Sequence, residues 1–357
     1  MSTLRINNLK KKLKSDNLDG MIVSHLDHVR YLTGFTGTAG LLVTGPGGTD
    51  FFTDFRYADQ ARQQVKGAKV SIIKRDPVDS LMDFPRLNAR RCRYGYNSEY
   101  LTVARLNRLG QALPDAIMVP ADKLMADLGW VKEKSEIASI KKAVSVSDLA
   151  FERVLNLVAP GVRERELAAE LEYQMMMLGA EKPAFETIVA SGYRSALPHG
   201  AASAKKVKKG EFITFDFGAT VDGYVSDMTR TIVVGKPTSK QKKIYQIVLR
   251  AHKAAIRKVK AGVSGKAVDA AARNIIERAG YGKNFGHGTG HGIGFFIHVG
   301  PRLSTASEDK LKINNVITIE PGIYLSGWGG VRIEDDVVVT RNSCKVLNRT
   351  PKNLLVL

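Results

Sequence analysis

The sequence predicts two domains, a smaller α/β domain over residues 1–125 and a larger α+β domain over residues 130–357. Three observations carry that expectation. A chain of 357 residues is long for one average domain and suits two. Its first part alternates a helical pattern with short apolar runs. Its second part sets long amphipathic helices apart from strand-like segments joined by hairpin signals.

In chain order, Leu4, Ile6, Leu9 and Leu13 fit one face of an opening helix, and strand-like runs follow at Met21–Val23, Leu41–Val43, Phe51–Phe52 and Val70–Ile73. Gly45, Pro46, Gly47 and Gly48 mark a turn between two of these strands. Asp54, Arg56 and Tyr57 could reach a site elsewhere, but exposed or structural roles are the expectation, because no cluster of catalytic residue types accompanies them. A domain boundary is expected between Pro120 and Lys134. Beyond it, Ile137, Ile140, Val144, Phe151, Leu155 and Val158 recur at helical spacing until Pro160-Gly161 stops the run. Further helical patterns cover 164–178, 240–261 and 266–279, the last closed by Gly280. Strands are expected at Phe212–Phe217, Tyr224–Val234, Val316–Ile319 and Val331–Thr340. No period of repeat length runs through the chain.

Composition excludes several classes. No apolar run is long enough to span a membrane, and the start MSTLRINNLKKKLK lacks a signal-peptide core, so a cytoplasmic protein is expected. Cys92 and Cys344 lie far apart and outside metal-ligand spacing, which argues for reduced, structural thiols. The net charge of +19 invites a nucleic-acid partner, but 19 basic and 12 acidic residues in the first 125 leave the excess evenly spread. The clusters Lys10–Lys14, Lys205–Lys209 and Lys240–Lys243 have no aromatic interleaving and read as solvated surface.

The chemistry gathers in the second domain. In FITFDFGATVDGYVSDMTRTIVV, Asp222-Gly223 is a two-residue hairpin signal, since both positions of the favoured turn need positive φ. Counting outward from that turn sets Asp216 opposite Thr229 and puts Asp227 on the same face as a diagonal neighbour, about 7–8 Å away. Unpaired carboxylates on one face among apolar neighbours are costly, so a cation is the natural partner. Downstream, FGHGTGHGIGFFIHVGP holds His287, His291 and His298, with His291 between Gly290 and Gly292, where missing Cβ atoms let an imidazole approach a crowded centre. His199, in ALPHG, is a fourth candidate. Glu320 and Glu334 stand at strand ends around a reversal containing Gly327, Gly329 and Gly330. Asp216, Asp227, Glu320, Glu334 and His291 together suit two divalent cations, Mn foremost, with Co, Zn or Fe as alternatives. Such a pair ionises a shared water at neutral pH and polarises a carbonyl.

At these residues the chain, over about 130–357, resembles the pita-bread metallopeptidase family of methionyl aminopeptidase, Xaa-Pro aminopeptidase and prolidase. The resemblance implies that Asp216 is a terminal ligand of one metal, that Asp227 and Glu334 bridge, and that His291 and Glu320 complete the second metal. It implies that Glu320 also shuttles protons, that His199, His287 and His298 line the substrate side, and that Arg332 orients the ligand carboxylates. SGYRSALPHG is similar to the proline-specific branch, and YLTGFTGTAG with FTDFRYADQA resembles the creatinase-type N-terminal domain of short Xaa-Pro peptidases. Creatinase shares the fold but lacks the metal ligands, which are intact here. Val299 replaces the acidic residue usual after His298, and Arg302 stands where some dipeptide-specific relatives bind the proline carboxylate. The expectation is a homodimeric Xaa-Pro aminopeptidase acting on small peptides with proline second, each N-terminal domain bordering the other subunit's cleft. An Xaa-Pro dipeptidase is the alternative. A non-catalytic pita-bread protein that binds nucleic acid or protein is the rival from another class, and no ligand position is lost in its favour.

Overall fold

The computed structural model describes residues 2–89 and 91–357, which form two compact units, Met1–Gly129 and Trp130–Leu357. In the first unit the order is α1 (Ser2–Ser15), β1 (Gly20–Val23), α2 (Leu26–Thr33), β2 (Leu41–Gly45), β3 (Gly48–Asp54), α3 (Ala58–Gln64) and β4 (Lys69–Ile73). Then come β5 (Arg93–Tyr96), α4 (Val103–Ala112), β6 (Ile117–Pro120) and α5 (Asp122–Leu128). One six-stranded sheet has the order β4-β3-β2-β1-β5-β6, with β2 antiparallel to both neighbours and the other pairings parallel.

The expected α/β character of this unit holds, and the four expected strands are present, each one to five residues longer than its apolar run. The opening helix buries Ile6, Leu9 and Leu13 but leaves Leu4 exposed, so its apolar face is narrower than the sequence suggests. Strands β5 and β6 escaped the pattern because RYGY and IMVP are short and carry polar or proline ends. Asp54 caps the following turn by accepting from the Arg56 amide at 2.9 Å, and Tyr57 hydroxyl meets Thr38 Oγ1, which gives these residues local structural roles.

The second unit opens with α6 (Lys134–Leu155) and α7 (Glu164–Met177), followed by β7 (Lys182–Pro183), β8 (Ile188–Ser191), β9 (Phe212–Phe217), β10 (Ala219–Val221), β11 (Tyr224–Val225) and β12 (Met228–Val233). Helices α8 (Ser239–Lys258) and α9 (Gly265–Arg278) precede β13 (Gly290–Gly292), β14 (Val299–Leu303), β15 (Val316–Ile319), β16 (Gly322–Leu325), β17 (Gly329–Arg332), β18 (Asp335–Val339) and β19 (Cys344–Val346). Helices α6 and α7 pack through Phe151, Val154, Leu167 and Leu171 on Phe215, Phe217 and Ile232 of the β8-β9-β12 sheet. Helices α8 and α9 pack through Val248, Val268, Ala272 and Ile276 on Ile317, Ile319, Val337 and Val339 of the β14-β13-β15-β18-β19 sheet. Each helix pair therefore covers one sheet from outside, which is the segregated α+β arrangement the sequence implies.

Two expected strands are broken. The segment Tyr224–Val234 is interrupted at Ser226–Asp227, and Val331–Thr340 is interrupted at Ile333–Glu334. Both interruptions fall at a candidate ligand, where the backbone leaves its ladder to aim a side chain. Among the described residues no helix is long and apolar enough to cross a membrane. Cys92 and Cys344 are free thiols.

Candidate metal centre

The hairpin count is met. Asp222 and Gly223 have φ of 52° and 78°, Val221 faces Tyr224, and Asp216 faces Thr229. The register is the same on both sides of the Ser226–Asp227 break, so no bulge rotates either aspartate away from the shared face. Within the break, the Asp227 amide donates to Asp336 Oδ2 at 2.9 Å, and the Asp336 amide donates to Asn348 Oδ1 at 2.7 Å. Asp336 thus satisfies an N–H that the interrupted ladder leaves over.

Candidate donors converge from three strand systems. Ligand atoms of Asp227, His291 and Glu334 all lie within 4.8 Å of one another. His291 Nε2 is 3.6 Å from Asp227 Oδ2 and 3.4 Å from Glu320 Oε1. His291 Nδ1 sits 3.1 Å from the Gly292 carbonyl, so the ring proton belongs on Nδ1 and the Nε2 lone pair faces the carboxylates. Glu320 Oε1 accepts from Thr318 Oγ1 at 3.1 Å, and Glu334 Oε2 accepts from Thr229 Oγ1 at 2.6 Å. Asp216 Oδ2 receives Arg332 Nη2 at 2.5 Å, while Asp216 Oδ1 is buried with no hydrogen-bond partner.

The electrostatics favour a cation among the carboxylates. Burial, then the charges of Glu334, Asp216, Asp336 and Glu320, push the Asp227 carboxyl well above its ordinary range. Burial, then Glu320 and Asp216, do the same to Glu334 despite Arg332. Burial also raises Glu320, against the pull of His287 and Arg332. Crowded carboxylates with raised proton affinity and an orphaned buried oxygen fit divalent cations, with oxygen donors and one imidazole favouring hard or borderline metals over thiolate-seeking ones.

Arg332 binds more than the sequence foretold. Beside Asp216, its Nε donates to Thr229 Oγ1 at 2.9 Å, and its Nη1 donates to Tyr324 Oη at 2.8 Å and to the Pro198 carbonyl at 3.2 Å. Tyr324 Oη also lies 2.8 Å from His287 Nε2, while His287 Nδ1 lies 2.7 Å from the Gly288 carbonyl. These partners place the proton on Nδ1 and make Nε2 the acceptor from Tyr324. Burial raises the Tyr324 hydroxyl to about 12 even beside Arg332, so it stays protonated and can donate. Burial lowers His287 first, with Glu320 opposing, which keeps the ring neutral near pH 7. His287 therefore has both nitrogens occupied and forms part of an Arg332–Tyr324–His287 chain.

Tyr324 was not singled out from the sequence. A signal was present in Gly322 and Gly330, because a Cβ at Gly322 would stand 2.6 Å from Tyr324 Oη and one at Gly330 would stand 2.9 Å from Tyr324 Cδ1. The glycines around His291 serve a similar need. A Cβ on Gly290 would lie 2.1 Å from the Thr318 carbonyl and one on Gly292 2.2 Å from the Gly300 carbonyl, so they admit neighbouring strands, not only a ligand ring.

His199, His298 and Arg302 are exposed. The His298 ring lies 4.5 Å, centroid to centroid, from that of His291. Burial, His291, Arg302 and His199 lower the His298 affinity for protons, with Glu320 opposing, so these groups are near enough to His298 to feel its charge. The Arg302 amide is tied to Asp309 Oδ2 at 2.9 Å.

Fold and donor set together are those of a metallopeptidase. The profile of Metallopeptidase family M24 matches residues 138–341, and that of the Creatinase/Prolidase N-terminal domain matches residues 5–128. The chain is similar to the solved structure of an Xaa-Pro dipeptidase from Bacillus anthracis, with 40% identity, a TM-score of 0.96 and 100% of each chain covered. An Xaa-Pro dipeptidase of Pyrococcus horikoshii is 39% identical over 350 residues, 96% of each chain. An X-Pro aminopeptidase structure from Thermotoga maritima is 38% identical, with a TM-score of 0.89 over 96% of this chain and 98% of that one. The chain belongs to metallopeptidase family M24, with a creatinase/prolidase N-terminal domain ahead of the pita-bread domain, and it is a metallo-exopeptidase.

Proposed function

We propose that this protein hydrolyses the Xaa-Pro bond of dipeptides with two divalent cations held by Asp216, Asp227, His291, Glu320 and Glu334. The observation that carries the reading is the convergence of these buried and half-buried donors, with Asp216 Oδ1 left unpartnered among the described residues. Two relatives of about 40% identity are named Xaa-Pro dipeptidases, and the exposed Arg302, near enough to His298 to lower its proton affinity, is suited to bind a substrate carboxylate. The aminopeptidase form, the leading expectation from the sequence, is supported by the Thermotoga relative's name.

When bound, the cations supply an ionised water and polarise the scissile carbonyl. The remaining steps belong to side chains. Glu320, raised by burial and close to His291, is suited to take a proton and return it to the proline nitrogen, which is a tertiary amide nitrogen lacking its own N–H. His199 is suited to line the substrate side and His298, beside His291, to meet a developing oxyanion, while Tyr324 links His287 to Arg332. Mn is the favoured metal from the donor set, a homodimer follows the family pattern, and the two free thiols suit a reducing compartment such as the cytoplasm.

The test is release of free amino acid from Ala-Pro and from Ala-Pro-Ala-Ala by metal-stripped protein given Mn, Co or Zn, with Asp227→Asn as control. Metal-dependent cleavage of Ala-Pro alone, abolished by the substitution, is expected. Cleavage of both peptides would assign the aminopeptidase form, and no cleavage of either by folded, metal-loaded protein would sink the reading.

A further inference from the structure

His199 lies on residues 192–202, a segment whose strand-like pairing among the described residues is one bridge between Ala201 and Ile188. A segment with so little ladder needs another anchor if it is to present an imidazole at a fixed place. Glu164, the first residue of α7, is fully buried and lies behind this segment. Its Oε1 accepts from the Ser191 amide at 2.7 Å and the Ser191 hydroxyl at 2.8 Å. Its Oε2 accepts from the Ser203 amide at 3.1 Å, the Ser203 hydroxyl at 2.6 Å and Arg194 Nη1. One carboxylate thereby gathers the entry, the interior and the exit of the segment.

Arg194 extends the tie, donating through Nη2 to the Ala201 carbonyl at 2.9 Å. Lys205 Nζ donates to the Ser191 hydroxyl at 2.8 Å and to Glu211 Oε2 at 2.6 Å, which brings a second cation beside the buried charge. On its other side the segment rests on β17. Ser195 Oγ accepts from the Gly330 amide at 2.9 Å, and the Pro198 carbonyl accepts from Arg332, the residue that also holds Asp216. The segment is pinned between Glu164 and the strand that reaches the metal centre.

We propose that Glu164 is a positioning residue for substrate, its buried carboxylate holding residues 192–202 so that His199 faces the mouth of the site. This rests on the reading of His199 as a substrate-side group. Burial opposes the Glu164 charge, yet the Ser203, Ser191 and Arg194 contacts hold its carboxyl below the ordinary range, so the anchor is ionised at neutral pH. Among the described residues Glu164 bonds to Ser191, Arg194 and Ser203 and to none of the five candidate ligands, so its loss should act on substrate and leave the metals in place.

The experiment compares wild type with Glu164→Gln, Glu164→Asp and Ser203→Ala in the full chain. Glu164→Gln keeps the length but turns an N–H₂ toward donors. It is expected to raise KM for Ala-Pro about ten-fold, the weight of a lost charge-assisted contact, with kcat and bound Mn unchanged. Glu164→Asp, which keeps the charge, and Ser203→Ala, which removes one of the contacts, are expected to fall between. Amide hydrogen exchange over 192–202 should accelerate in Glu164→Gln while β9 and β12 stay protected. A fall in kcat at constant KM, a loss of bound Mn, or unchanged exchange over 192–202 would overturn the proposal. If Glu164→Gln does not fold, wild-type KM and exchange in Ser203→Ala would overturn it too. Should wild type cleave no Xaa-Pro peptide, the functional reading fails, while hydrogen exchange still decides the anchor.

Discussion

Tyr324 changes the reading of individual side chains around the metal centre. Its hydroxyl accepts from Arg332 and donates to His287, so two residues assigned separate duties from sequence belong to one hydrogen-bonded chain that ends at Asp216. Tyr324→Phe leaves Arg332 Nη1 with only the Pro198 carbonyl and frees His287 Nε2. It is expected to lower kcat/KM about ten- to a hundred-fold, equivalent to roughly 1.5–3 kcal/mol, with metal content unchanged by elemental analysis. The candidate ligand types were legible in the sequence because Asp, Glu and His at strand ends and between glycines are costly without a purpose. Tyr324 was not, because an aromatic residue in a strand is ordinarily core, and only the folded hairpin reveals what its hydroxyl meets.

The β16–β17 hairpin shows how an element makes room for that residue. Tyr324 faces Gly330 across the hairpin, and a Cβ at Gly330 would stand 2.3 Å from the Ser195 carbonyl as well as against the tyrosine ring. Gly330→Ala must therefore displace either the hairpin or the segment carrying His199. A loss of about 1–3 kcal/mol is expected, read by urea unfolding, with KM for Ala-Pro raised because the displaced carbonyl belongs to that segment. The Asp222-Gly223 turn was legible since its two positive φ values admit few residue pairs, and the register it sets carried Asp216 and Asp227 to one face. The breaks at Ser226–Asp227 and Ile333–Glu334 were not legible, because no glycine or proline marks either and only the neighbouring strands decide where a ladder opens.

Behind Glu334 the catalytic unit is held by a buried charge network. Arg230 donates to Asp335 Oδ1 at 2.7 Å and to the Glu334 carbonyl, His252 Nε2 stands 3.3 Å from Asp335 Oδ2, and Lys352 Nζ stands 3.4 Å from Asp335 Oδ1. Burial would raise the Asp335 carboxyl, but Arg230, His252 and Lys352 outweigh it and bring it to about 2. A carboxyl depressed on folding adds stability that is present above its unfolded value, and that stability is lost as pH falls through the folded one. The window runs from about pH 4 down to about pH 2. Asp335→Asn should cost about 3–5 kcal/mol at neutral pH, since Arg230 is left buried without its counter-ion, and should flatten the acid limb of the unfolding curve within that window. Metal removal acts in the same unit. Chelation leaves the crowded Asp227 and Glu334 carboxyls unscreened, so melting temperature should fall with chelator and recover with excess Mn. In Asp227→Asn the chelator-dependent shift should shrink, which differential scanning calorimetry would show.

The sequence by itself determined the α/β and α+β halves, the hairpin register that aligns Asp216 with Asp227, and the carboxylate and imidazole types suited to hard or borderline cations. These are local properties: periodicity, turn chemistry and side-chain charge act over a few residues and can be read along the chain. Only the tertiary structure decided that Glu334 meets His291, that Arg332 reaches Asp216, Thr229, Tyr324 and Pro198 together, and that Glu164 gathers Ser191, Arg194 and Ser203. Those contacts join residues up to 134 positions apart. Their partners are chosen by how two helix-covered sheets pack, a matter of shape and burial that no short window of sequence contains.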